Sequence, residues 1–175
     1  MIYHTGSQIN SYKEEFPWLV DKSKFIIFGL DYVYWKNTTH PIIEERKSYI
    51  VCVGYRKRDW NTLLEAYEKA EIKEDLYLIG NPNIKSKNYK VKVLAFIPIE
   101  ELMTYIVNSK YSVIPINNFN YSFAQLILLQ QMALGVLILV FDVSAIKDYA
   151  SESKGVESYI SYNVGSLKEK LIFMS

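Results

Sequence analysis

Asn117-Asn118-Phe119-Asn120-Tyr121-Ser122-Phe123-Ala124-Gln125 runs into Leu126-Ile127-Leu128-Leu129-Gln130-Gln131-Met132-Ala133-Leu134-Gly135 and then Val136-Leu137-Ile138-Leu139-Val140-Phe141. These read in turn as a polar loop, an apolar helix closed by a glycine turn, and a buried strand. The apolar stretch from Leu126 to Phe141 is broken by Gln130-Gln131 and Gly135, and it falls short of the ~20 residues of a membrane-spanning helix. The order places a helix N-terminus, with its unpaired backbone N–H groups, just beyond the strand-like run Ser112 to Ile116. In open α/β sheets that is where phosphorylated ligands bind.

Working outward, five more short apolar runs read as strands: Tyr49 to Val53, Leu76 to Ile79, Val91 to Phe96, Ser112 to Ile116 and Ser158 to Tyr162. Between them lie helical patterns. Trp60, Leu63, Leu64 and Tyr67 recur at i, i+3, i+4 and i+7 behind a candidate N-cap at Asp59, and Leu102, Tyr105 and Ile106 follow Pro98 and the Glu100-Glu101 pair of a first helical turn. Runs that are apolar throughout, rather than alternating, suit strands covered on both faces. The expected fold is α/β: a Rossmann-like parallel sheet of about six strands with helices on both faces. Residues 46–175 would form this unit. Residues 1–45 read differently, with a possible helix around Ser7 to Phe16, an apolar run Phe25 to Phe28, and a linker-like stretch Lys36 to Lys47 containing Pro41.

Half of the 175 residues are apolar and 22% are charged, and the net charge is +1. This near-neutral balance, with basic and acidic residues mixed, argues against a nucleic-acid partner, which would need clustered Lys and Arg. Cys52, the sole cysteine, lies inside an apolar run and is expected to be a buried, inert thiol. His4, His40 and Cys52 have no metal-ligand spacing, so no metal is expected. With no signal-peptide pattern and no transmembrane segment, the expected location is the cytoplasm. The seven glycines never form G-x-G and no G-x-x-x-x-G-K occurs, which sets aside the dinucleotide fingerprint and the P-loop.

Several segments together resemble the C-terminal, donor-binding domain of the retaining nucleotide-sugar glycosyltransferases with the two-domain GT-B fold. They are Phe25-Ile26-Ile27-Phe28-Gly29-Leu30-Asp31, Val51-Cys52-Val53-Gly54-Tyr55-Arg56-Lys57-Arg58-Asp59, Leu94 to Leu102, and Ser122 to Gly135, in the family's order. The first resembles the hinge entering that domain. The second resembles its strand and glycine turn, which implies that Gly54, Arg56 and Arg58 meet the donor diphosphate; guanidinium groups give paired, charge-assisted hydrogen bonds to phosphate. The third implies that Phe96 and Ile97 border the nucleobase, with a place in the core as the other reading of Phe96. The fourth corresponds to the family's Glu, seven residues, Glu motif, but both acids are replaced, by Ser122 and Gln130.

The resemblance implies that Tyr121, Ser122, Phe123, Ala124 and Gln125 form the diphosphate loop, with Ser122 capping the helix, and that Gln130 binds the ribose hydroxyls. It implies hexose transfer from a nucleoside-diphosphate sugar to a glycan, lipid or protein, with no other cofactor and no identifiable catalytic residue. Residues 1–45 would be a remnant of the acceptor domain and the hinge. The implied partners are the sugar nucleotide and a separate acceptor domain or a homo-oligomer, and the location extends to the inner membrane face as a peripheral protein. A non-catalytic nucleotide-binding or interaction module of the same fold is the alternative, since both glutamates are missing.

Overall fold

The computed structural model describes residues 2–6, 8–37, 48–80, 83–117, 124–150 and 153–175. Its centre is a six-stranded, wholly parallel sheet built from β3 (Tyr49–Val53), β4 (Asp75–Ile79), β5 (Val91–Leu94), β6 (Tyr111–Ile114), β7 (Ile138–Phe141) and β8 (Val156–Tyr159). Their order across the sheet is β5-β4-β3-β6-β7-β8, so the chain builds outward from β3 in one direction and from β6 in the other. A separate two-stranded parallel sheet pairs β1 (Ile2–Tyr3) with β2 (Lys24–Phe25).

Helices α3 (Trp60–Ala70), α4 (Ile99–Val107), α5 (Gln125–Ala133), α6 (Ser144–Ala150) and α7 (Val164–Met174) follow β3, β5, β6, β7 and β8 in turn, the usual crossovers of parallel strands; among the described residues β4 leads to β5 with no helix between them. Ile50 and Cys52 of β3 and Leu76 and Leu78 of β4 join Leu63 and Ala66 of α3 and Leu167 and Leu171 of α7 in one apolar cluster. Tyr49, Val51 and Val53 point the other way, with Ile106 of α4 and, from α5, Ile127. The covering of both faces explains why β3 is buried at every position. Asp59 caps α3 by accepting from the Thr62 N–H at 3.2 Å, and Pro98 opens α4. Two helices, α1 (Gln8–Glu15) and α2 (Tyr32–Asn37), and a 3-10 turn over Pro17–Lys22 make up the remaining N-terminal part.

Several boundaries differ from expectation. The strand expected at Ser158 to Tyr162 runs instead over Val156–Tyr159, because as an edge strand it exposes Glu157 and Ser158 and needs no apolar run. Val91 to Phe96 stops at Leu94. Lys36, taken as the start of a linker, lies in α2; residues 38–47 of that linker lie outside the described residues.

Candidate functional site

Strands β3 and β6 leave the sheet side by side, and the chain then turns to opposite sides, which opens a crevice at their C-terminal ends. The loops that follow them are stitched together by main-chain bonds. The Asp59 N–H donates to the Pro115 carbonyl at 2.9 Å and the Asn117 N–H to the Lys57 carbonyl at 3.1 Å, with an antiparallel bridge between Arg58 and Ile116. Lys57 takes a left-handed conformation, φ 57°, to make the turn.

Gly54 is what lets this loop fold back. Its φ of +146° is open to glycine, and a Cβ there would stand 2.5 Å from the Arg58 guanidinium. That guanidinium is half-buried and donates from Nε and Nη2 to the Val53 carbonyl, at 3.4 and 3.3 Å, and from Nη1 to the Arg56 carbonyl at 3.2 Å. Burial lowers its pKa. Arg58 is therefore first a strut of the loop, whereas the Arg56 side chain is exposed to solvent. Beneath lies Cys52, fully buried, whose thiol is pushed up to about 12 by burial; it is inert, as its apolar setting implied. Asp59 Oδ2 and the Tyr159 hydroxyl are also buried without a hydrogen-bond partner.

Next to the crevice, Gly80 ends β4 with φ +105°, and a Cβ there would lie 3.4 Å from the Gly54 carbonyl oxygen. Tyr55, after β3, and Phe96, after β5, pack against each other with ring centroids 5.5 Å apart. Phe96 is 72% exposed, so its reading as a core residue is wrong. Ile97 is half-buried against the cluster around Val51 and Ile106. Tyr55 was not singled out from the sequence, although it directly follows the glycine turn.

Helix α5 begins beyond β6, as its sequence implied, but later than expected. Its N-cap position is Ala124, left-handed at φ 68°, which offers no side-chain cap of its own. Tyr121, Ser122 and Phe123 lie outside the described residues. Gln125 is buried and Gln130 half-buried. Gln131, which sequence reasoning passed over, is fully buried with neither amide atom hydrogen-bonded; nothing in the pair Gln130-Gln131 signals which one turns inward.

Among the described residues no group of His, Cys, Asp and Glu is placed to hold a metal ion, and no helix is long and apolar enough to cross a membrane.

No protein-family model matches the sequence, and no curated protein matches it. Solved structures do. WaaG, a glycosyltransferase involved in lipopolysaccharide biosynthesis, superposes with a TM-score of 0.78 at 13% identity, over 99% of this chain and 52% of its own. The catalytic domain of starch synthase IV from Arabidopsis thaliana, bound to ADP and acarbose, gives 0.73 at 11%, over 97% and 46%. Sucrose-phosphate synthase from Thermosynechococcus elongatus gives 0.69 at 16%, over 97% and 47%. The chain spans about half the length of these structures. It has the fold of one Rossmann-like half of a GT-B glycosyltransferase.

Proposed function

We propose that this chain is the donor-binding half of a glycosyltransferase, one that moves a hexose from a nucleoside-diphosphate sugar to a glycan, lipid or protein acceptor. The observation that carries this reading is the braced crevice between β3 and β6, in a sheet whose order and helices match halves of known glycosyltransferases. One of these neighbours was solved with ADP, which supports a nucleoside diphosphate as the shared part of the donor.

The proposed roles follow from exposure. Arg56 reaches the diphosphate from solvent, and Arg58 holds the loop while keeping two of its five N–H donors for phosphate. The first turn of α5, whose N-cap Ala124 has no polar side chain to occupy its amides, faces the same charge. As the bond to the sugar breaks, negative charge grows on the diphosphate, and fixed donors at that point stabilise it. Tyr55 and Phe96 border the base with Ile97, and Gln130 takes the ribose hydroxyls. An amide in place of a carboxylate there weakens that contact by about 1 kcal/mol. The acceptor is held by another domain, for which residues 1–45 provide the junction, and the donor brings its own leaving group, so no further cofactor takes part.

Isothermal titration against UDP, GDP, ADP and their nucleosides tests this reading. Selective binding of one diphosphate is the expected result. Arg56→Ala should weaken diphosphate binding about tenfold and leave the nucleoside unchanged, while Phe96→Ala should weaken both. A folded chain that binds no diphosphate would sink the donor reading in favour of a non-catalytic module.

A further inference from the structure

A second cleft, of about 320 Å³, lies on the α4 face of the sheet, lined by Tyr49, Tyr77, Glu101, Thr104, Tyr105 and Asn108. It is remote from the crevice just described: Tyr49 begins β3 and Gly54 follows its end, five residues or about 16 Å along a strand. Glu101, Thr104, Tyr105 and Asn108 fall at i, i+3, i+4 and i+7, which makes one polar stripe down α4 beside its core residues Met103 and Ile106.

The cleft has a rigid floor. The Tyr49 hydroxyl donates to the Tyr105 carbonyl at 2.8 Å, and Asn108 Nδ2 donates to the Thr104 carbonyl at 3.0 Å. Rings of Tyr49 and Tyr77 lie 4.8 Å apart and those of Tyr77 and Tyr105 5.6 Å. Above this floor three groups remain available. Among the described residues the hydroxyls of Tyr77 and Tyr105 have no hydrogen-bond partner, and Glu101, at the exposed rim, has no cation beside it.

We propose that this cleft is a carbohydrate-binding site that takes a neutral pyranose unit of an oligosaccharide. The C–H face of a pyranose ring is apolar and packs on aromatic faces, while its rim carries hydroxyls that both donate and accept. Two partly exposed phenol rings supply the face, their hydroxyls donate and accept, and a carboxylate accepts from neighbouring hydroxyl groups. An organic cation fits less well, because the rings pack on one another and leave no slot between them for an ammonium group. The volume sits at the small end of ligand clefts, near 300 Å³, which suits one sugar unit of a longer chain that continues into solvent. Such a site would tether a glycan without using the crevice at the other end of the strands.

The test is calorimetric titration of the full chain with maltoheptaose and with cellohexaose, each with and without the nucleoside diphosphates. Binding of one oligosaccharide is expected, indifferent to nucleotide. Tyr105→Ala and Glu101→Gln should each weaken it about tenfold, and Tyr105→Phe, which keeps the ring, about threefold. Glu101 is exposed and unpaired, so Glu101→Gln reports on the site even if Tyr105→Ala fails to fold. Absence of binding by a folded chain at about 10 mM sugar, where even contacts of millimolar affinity register, would overturn the proposal. So would an unchanged affinity in both Glu101→Gln and Tyr105→Phe, or displacement of the sugar by nucleotide. Because nucleotide binding is read separately, this site and the donor reading can fail independently.

Discussion

The six-stranded body and the N-terminal part, residues 2–37, are held by different forces. In the body, β3, β6 and β7 are buried at every position, and α3 and α7 close over them. In the N-terminal part, Gln8 is the sole buried residue of α1, the turn over Pro17–Lys22 buries none, and Ile2, Trp18, Ile26, Ile27, Tyr32 and Val33 stand 47–67% exposed. Of its apolar side chains Tyr3 and Trp35 are buried, and the bonds that tie this part to the body are polar. The Tyr149 hydroxyl donates to the His4 carbonyl at 2.6 Å and accepts from the Phe28 N–H at 3.0 Å, and Asp148 accepts from the Gly6 N–H at 2.7 Å. A buried apolar side chain contributes about 1.5–3 kcal/mol and a net hydrogen bond about 1 kcal/mol. The contrast teaches that secondary structure alone does not identify the stable unit. Both parts contain parallel strands and helices, but the body alone joins its apolar faces into large buried clusters.

The sharpest way to break this comparison is to truncate one large side chain in each part. Phe141→Ala, at a fully buried site, should cost about 3–5 kcal/mol in urea denaturation, and Trp18→Ala, 67% exposed, less than about 0.5 kcal/mol. Similar losses would show that the N-terminal part folds as one cooperative unit with the body.

A smaller effect belongs to the ion pair at the other end of the sheet. Lys110 Nζ lies 2.5 Å from Glu74 Oε1, and Glu74 is 5% exposed. Burial alone would raise the Glu74 pKa, but the hydrogen bond and charge of Lys110 and nearby donors outweigh it and leave it below the ordinary value of 4.5. A lowered native pKa makes its stabilisation complete above that value and lost as the pH falls through the native one. Lys110→Ala should therefore cost about 1–2 kcal/mol near neutral pH, tempered by the partial exposure of Lys110, and progressively less in acid. A loss that does not shrink with acid would place the contribution of Lys110 in its other contact, with the Ser175 carbonyl.

The smallest expected effect lies at the seam between the two parts. Tyr149→Phe removes both bonds of its half-buried hydroxyl, and because water can replace part of them it should cost about 1 kcal/mol rather than the full value of two bonds. Hydrogen exchange should locate that loss. Amides around Phe28 should open faster while those of β3 keep their protection; a uniform change across both would mean that the seam is part of the core.

These contrasts also mark what could be read from the sequence. Tyr49–Val53 was read to the residue because a strand buried on both faces writes an unbroken apolar run, bounded here by loops. Asp59 and Pro98 signalled the starts of α3 and α4 through local chemistry alone. The run Tyr32-Val33-Tyr34-Trp35 gave no warning of α2, since aromatic and β-branched residues favour strands and tertiary context overrides them. At the candidate site, the glycine turn and its arginines were visible, but not that Arg58 bends back onto the Val53 carbonyl while Arg56 points out. That difference is a matter of path, set by the positive φ of Gly54 and Lys57. Phe96 stood at a strand end, where an aromatic residue can go either into the core or out over the edge, and only the sheet geometry decided it.

The two bonds that stitch the loops after β3 and β6 run from the Asp59 and Asn117 amides to the Pro115 and Lys57 carbonyls, main chain to main chain. Such a brace is indifferent to the identity of the residues that carry it, provided neither donor becomes proline. The frame of the crevice can thus outlast nearly complete turnover of its side chains, just as the fold itself is kept where identities of 11–16% accompany TM-scores of 0.69–0.78. The chemistry of such a site is free to drift while its frame is kept.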